Sequence, residues 1–208
     1  LPDLSGVRVT GNFDCRGNGL TSLAGAPQSV GGYFDCSANR LADLAGAPQD
    51  VGGNFNCQHA NRRLSGAPRH VRGNFNCCDN ELTTLAGAPQ SVGGRFKCSS
   101  NKLASLAGAP QSVGSNFECY NNRIVDLSHA PRIINGDFVC FGNDFIDLTG
   151  APRTINGSFV SYGCHNLASL AGSPSTVVGG FNCAGSNRLT TLAGAPRDVG
   201  GDFNCSYS

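Results

Sequence analysis

Apolar and polar positions recur along this chain in one pattern, V-G-G-x-F-x-C-x-x-N-x-L-x-x-L-A-G-A-P-x-x. Around the phenylalanine the period is two, so x-F-x-C predicts a short strand with Phe and Cys on one face and polar residues on the other. An asparagine comes next, then two leucines three apart, then a Gly-Ala-Pro bend. Phe13, Phe34, Phe55, Phe75, Phe96, Phe117, Phe138, Phe159, Phe181 and Phe203 stand 21, 21, 20, 21, 21, 21, 21, 22 and 22 residues apart. So short a unit has no room for a crossover helix of any length, and its return side is expected to be extended or turn-like.

One such unit cannot bury its own Phe, Cys and Leu, whereas stacked units supply each other with a core. The pattern therefore predicts a repeat solenoid of about ten short coils, with a parallel β-sheet on one face, extended or turn segments on the other, and little or no α-helix. At about 4.8 Å per strand the stack makes a rod of roughly 50 Å. Residues 1–208 are expected to form a single solenoid. From Pro27 onward the spacing from each Pro to the next Phe is always seven residues, whereas from each repeat Phe to the next Pro it is usually 14 but 13 after Phe55 and 15 after Phe159 and Phe181. Segments such as QHANRR and AGSNR are therefore expected to bulge outward, within reach of a partner.

The run Phe34, Cys36, Asn39, Leu41, Leu44 resembles the leucine-rich repeat pattern L-x-L-x-x-N-x-L. Short units with a return-side proline, such as NKLASLAGAPQSV, look like the short repeats of bacterial secreted effectors and of similar bacterial and phage arrays. The resemblance covers essentially the whole chain. It implies that the cysteine position points inward, and that Asn18, Asn39, Asn61, Asn80, Asn101, Asn122, Asn143, Asn166 and Asn187 form an inward ladder bonding the backbone of adjacent turns. One departure is that Val30 lies four residues before Phe34 rather than the usual three, an excess that Gly31-Gly32 is expected to absorb as a bulge.

Composition narrows the function. The net charge is +1, giving no electrostatic footprint for nucleic acid, and only 14% of residues are charged. No apolar run approaches the roughly 20 residues of a membrane span. Glycine numbers 29, but at fixed places in the repeat, which argues against disorder. The sequence has no methionine and is read as a segment of a longer chain or assembly.

The cysteines invite metal, redox or disulfide chemistry. Cys15, Cys36, Cys57, Cys77, Cys98, Cys119, Cys140, Cys183 and Cys205 occupy the strand position, with Ser161 in the eighth coil. A buried thiol packs as a small hydrophobe. In-register parallel neighbours hold their Cβ atoms about 4.8 Å apart, beyond the usual 3.5–4.5 Å of a disulfide, so free core thiols are favoured over bridges, and both over metal binding. Alternation places Cys78 opposite Cys77 and hence outside, and puts Cys164 in an irregular turn. His59, His70, His129 and His165 fall at unrelated places, and no zinc spacing, phosphate loop or nucleophile elbow is convincing. No cofactor, metal or catalytic residue is expected, and the chain is read as a non-enzyme.

What varies from coil to coil is the outward strand face. Its candidate binding residues are Tyr33, Asp35, Asn54, Asn56, Asn74, Asn76, Arg95, Lys97, Asn116 and Glu118, succeeded by a partly apolar stretch that includes Val139 and Val160. The bland alternative is a solvated sheet face. Two functions are compatible with it: a scaffold binding a protein or glycan through this face, or a structural protein whose uncapped ends stack into a filament or seat it in a cell-surface or virion appendage. Nucleic acid and a membrane span are excluded as partners. Low charge with abundant Asn, Ser and Thr leans toward a secreted, cell-surface or virion-surface setting.

Overall fold

The computed structural model describes residues 3–208, and among them there is no helix. Twenty strands of two residues are arranged two per coil, and successive coils stack as a parallel β-solenoid of ten turns. The front sheet runs unbroken through ten strands, Phe13–Asp14 to Phe203–Asn204. Its register sets phenylalanine on phenylalanine from coil to coil, Phe34 on Phe55 and Phe96 on Phe117 for example. The shift from one coil to the next is therefore a whole repeat, and the phenyl rings form a continuous column with centroids 5.1 to 5.7 Å apart.

The valine before each phenylalanine belongs to a second ladder. Ser29–Val30, Asp50–Val51 and their equivalents pair valine on valine, with Ile134 and Ile155 in two coils, in groups of three, four and three strands separate from the front sheet. This corrects the bulge expected at Gly31-Gly32. The two glycines instead carry the chain from one sheet to the next, under close approach of the coil before. A Cβ on Gly31 would lie 2.2 Å from the Thr10 carbonyl oxygen, and one on Gly52 2.1 Å from that of Gly31. The side ladder breaks between Val51 and Val71, beside the short third coil, where Arg72 replaces the first glycine.

The Gly-Ala-Pro bend is a tight turn. The Ala47 N–H donates to the Leu44 carbonyl at 3.0 Å, with Gly46 third in the turn at φ 90°. A positive φ at that position is the type II geometry that favours glycine. His129 adopts the same conformation at φ 68°, so the bend requires the left-handed region and a histidine tolerates it there.

Between the two ladders lies one core of Phe, Cys, Val and Leu rows, most of them fully buried. Where neither ladder reaches, the asparagines take over. Asn122 donates from Nδ2 to the Cys98 carbonyl of the coil before (3.1 Å) and to its own Cys119 carbonyl (3.0 Å), while its Oδ1 accepts the Leu103 N–H at 3.0 Å. Asn39, Asn101 and Asn143 also bond both carbonyls, and Asn80 the one before. The ladder is shorter than the sequence suggests. Asn61, Asn166 and Asn187 lie outside it, and Ala60, Cys164 and Ser186 hold the fifth place after Phe in their coils. The length changes of coils three, eight and nine all fall beyond that fifth place, so counting back from the leucines misaligns these three.

Those changes resolve in opposite directions. Coils eight and nine take up their extra residue in a turn, with the Leu167 N–H on Cys164 O and the Leu189 N–H on Ser186 O at 2.9 and 2.8 Å. Coil three, one residue short, does not bulge; it draws Asn61 into the core, where it pairs with Leu41. Cys164 is likewise fully buried, its thiol 3.8 Å from the Cys140 carbonyl, and is no turn filler.

Replacing Asn122 by alanine strands the Leu103 N–H inside the rod and removes one of the two amide donors from each of the Cys98 and Cys119 carbonyls, which Asn101 and Asn143 still reach. The urea unfolding midpoint should fall by the equivalent of about 3 kcal/mol, whereas Asn166→Ala should change it by less than about 0.5 kcal/mol.

Candidate functional site on the front sheet

The outward residues of the front sheet form three rows along the rod, immediately before Phe, immediately after it, and three places after it. In the first row the asparagines have a structural task. The Oδ1 of Asn54 accepts the Asn74 N–H at 2.9 Å, that of Asn74 accepts the Arg95 N–H at 2.7 Å, and that of Asn116 accepts the Asp137 N–H at 3.0 Å. Each side chain thereby satisfies a backbone donor of the next coil that the two-residue strands leave free. Tyr33, 37% exposed, and Arg95 are exposed members of this row, as are Asn12, Asn54 and Asp202.

The second row is tied together sideways. Asp35, only 7% exposed, accepts from Ser37 and from Asn56 Nδ2 at 3.0 Å. Asn76 donates to Gln58, which donates to Asp79. Lys97 Nζ lies 3.4 Å from the Glu118 carboxylate. The ten candidate residues thus share one face, but most of their polar groups are engaged with neighbouring coils.

The third row carries a feature that residue-by-residue alternation misses. Tyr120, Phe141 and Tyr162 stack with centroids 4.5 and 4.4 Å apart and planes within 7° and 11° of parallel. Val139 and Val160, partly exposed, lie one residue after Phe in the same coils. Aligning all ten coils on Phe would have shown three aromatics in succession in a row otherwise made of small and polar residues. The same row holds Cys78, which is covered, at 8% exposed, yet lies outside the core cluster.

All eleven cysteines are free thiols, ten of them buried. In the ladder the thiols of Cys36, Cys57 and Cys77 lie 3.5, 3.3 and 3.2 Å from a carbonyl oxygen of the next coil, a place the Ser161 hydroxyl fills at 3.3 Å. The position therefore suits a small side chain with one weak donor. Burial pushes the thiols of Cys15, Cys78, Cys164 and Cys183 up from 9.0 to about 11. It pushes Cys57, Cys77, Cys98 and Cys119 up further, each with a smaller contribution from neighbouring cysteines. A neutral thiol is a poor nucleophile and a poor metal ligand.

Among the described residues no helix is long and apolar enough to cross a membrane. These features define the class as a β-solenoid repeat protein with buried phenylalanine, cysteine and asparagine columns. Comparison with protein-family models, curated proteins and solved structures finds no match.

Two measurements check the thiols. Iodoacetamide at neutral pH should modify only the half-buried Cys205 rapidly in the folded protein, and all eleven after unfolding, read by intact mass. Because folding raises these pKa values, the folded state binds more protons than the unfolded one above pH 9. The urea midpoint should accordingly hold up to about pH 9 and decline toward pH 11, less steeply in Cys78→Ala.

Proposed function

We propose that this protein is a non-enzymatic binding scaffold, kin to the short leucine-rich repeats, that engages a protein partner through the front sheet of coils five to eight. The observation that carries this reading is the aromatic stack of Tyr120, Phe141 and Tyr162 beside Val139 and Val160, an apolar patch on an otherwise polar sheet face. Such patches on a soluble surface mark interaction sites, and aromatic residues supply much of the binding energy at protein interfaces.

The ring geometry favours a protein over a glycan here. Phe141 is sandwiched face to face, so the stack offers mainly ring edges, whereas a pyranose needs an open aromatic face. Arg95 and the Lys97–Glu118 pair lie beside the patch as a polar rim. Kinship with leucine-rich repeats is supported by the asparagine ladder between strand and leucines.

A photo-crosslinker placed at Tyr162 should capture the partner. Phe141→Ala should then weaken binding at least tenfold, about 1.4 kcal/mol, while lowering the unfolding midpoint only slightly. Unchanged affinity in both Phe141→Ala and Val160→Ser would refute the reading.

A further inference from the structure

The third coil departs from the repeat in a way that the front sheet does not explain. One residue short after Phe55, it places Asn61 in the row occupied elsewhere by Leu41, Leu82, Leu103 and Ile124. Asn61 is 3% exposed, and its Nδ2 donates to the Arg63 carbonyl at 2.6 Å. Its Oδ1 has no partner. A buried carbonyl without a donor is destabilising, and a leucine would fill the same row at no such cost.

Asn61 also lines a groove of about 600 Å³ that opens at this coil, within the size range of small-molecule sites. Leu41, Ala42 and Ala60 give it an apolar surface, while Arg40, Arg62, Asp79 and Glu81 line it with two positive and two negative charges. The Arg62–Glu81 and His59–Asp79 pairs are loose, at 3.8 Å each, so Arg62 and His59 remain open to a ligand, whereas Gln58 already bonds Asp79 at 2.9 Å and Lys102 lies 3.3 Å from Glu81. The charges cancel, which disfavours a strongly ionic ligand. What remains is a ligand that both donates and accepts hydrogen bonds around an apolar C–H surface.

We propose that this groove binds a neutral saccharide that turns the buried Asn61 side chain far enough for one sugar hydroxyl to donate to its Oδ1. A sugar hydroxyl supplies the donor that the protein withholds, its other hydroxyls meet the arginines and carboxylates, and its C–H face lies on Leu41 and the two alanines. This site is separate from the front-sheet patch and does not depend on it.

The test is an amide-shift titration of the ¹⁵N-labelled protein with maltose, cellobiose, lactose and diacetylchitobiose. At least one disaccharide should shift the His59, Ala60, Asn61 and Arg62 amides with a Kd of about 1 mM or tighter. Asn61→Leu should weaken that binding at least tenfold and raise the unfolding midpoint. The exposed pair Arg62→Ala and Glu81→Ala should weaken it while leaving the fold intact, which keeps the test decisive should Asn61→Leu misfold. Phe141→Ala should leave the titration unchanged. The proposal is overturned if none of the four sugars shifts these amides, if Asn61→Leu binds as the parent does, or if only a sulfated heparin disaccharide binds.

Discussion

Everything in this protein answers to the approach of one coil's backbone to the next at hydrogen-bond distance, in register, along both sheets. The front sheet bonds forward, Phe13 N–H to the Tyr33 carbonyl at 2.9 Å, and the side ladder bonds backward, Gly31 N–H to the Val9 carbonyl at 2.8 Å. With every position stacked on its own counterpart, a residue type that suits a position once suits it in every coil. This is why phenylalanine, cysteine and valine form columns, and why glycine recurs where the chain passes close under the preceding carbonyl, as at Gly31 and Gly52.

Strands of two residues cannot satisfy the rest of the backbone, and polar side chains complete the work. The inner asparagines bond carbonyls of their own coil and the one before, and the outer Asn54, Asn74 and Asn116 capture N–H groups of the next. Cysteine fits the same logic as a small core residue whose thiol approaches a carbonyl, with serine able to stand in. Side chains that look like an exposed recognition surface or a reactive metal-binding series are in large part the internal bonding of the solenoid.

Individuality enters where stacking tolerates change. On the front face, three aromatics in consecutive coils build a column that their neighbours do not extend, because Ser99 and Ala184 flank it. On the coil's edge, one missing residue converts a leucine position into a buried amide beside a groove. The first feature adds apolar surface, and the second removes apolar packing.

The repeat period, the strand around each phenylalanine, the inward Phe and Cys and the absence of helix were legible from sequence, because period-two alternation and a fixed 21-residue spacing leave one way to bury the apolar set. The second ladder, the covering of Cys78, the inward course of Cys164 and Asn61, and the true membership of the asparagine ladder were not. Each depends on where the chain bends between coils and on how a gained or lost residue is absorbed, as a turn in coils eight and nine and as contraction in coil three. Local pattern names which residues want the core; only the stacked backbone decides which carbonyl or N–H lies within reach of each side chain, and so which side chains are spent on structure and which stay unengaged.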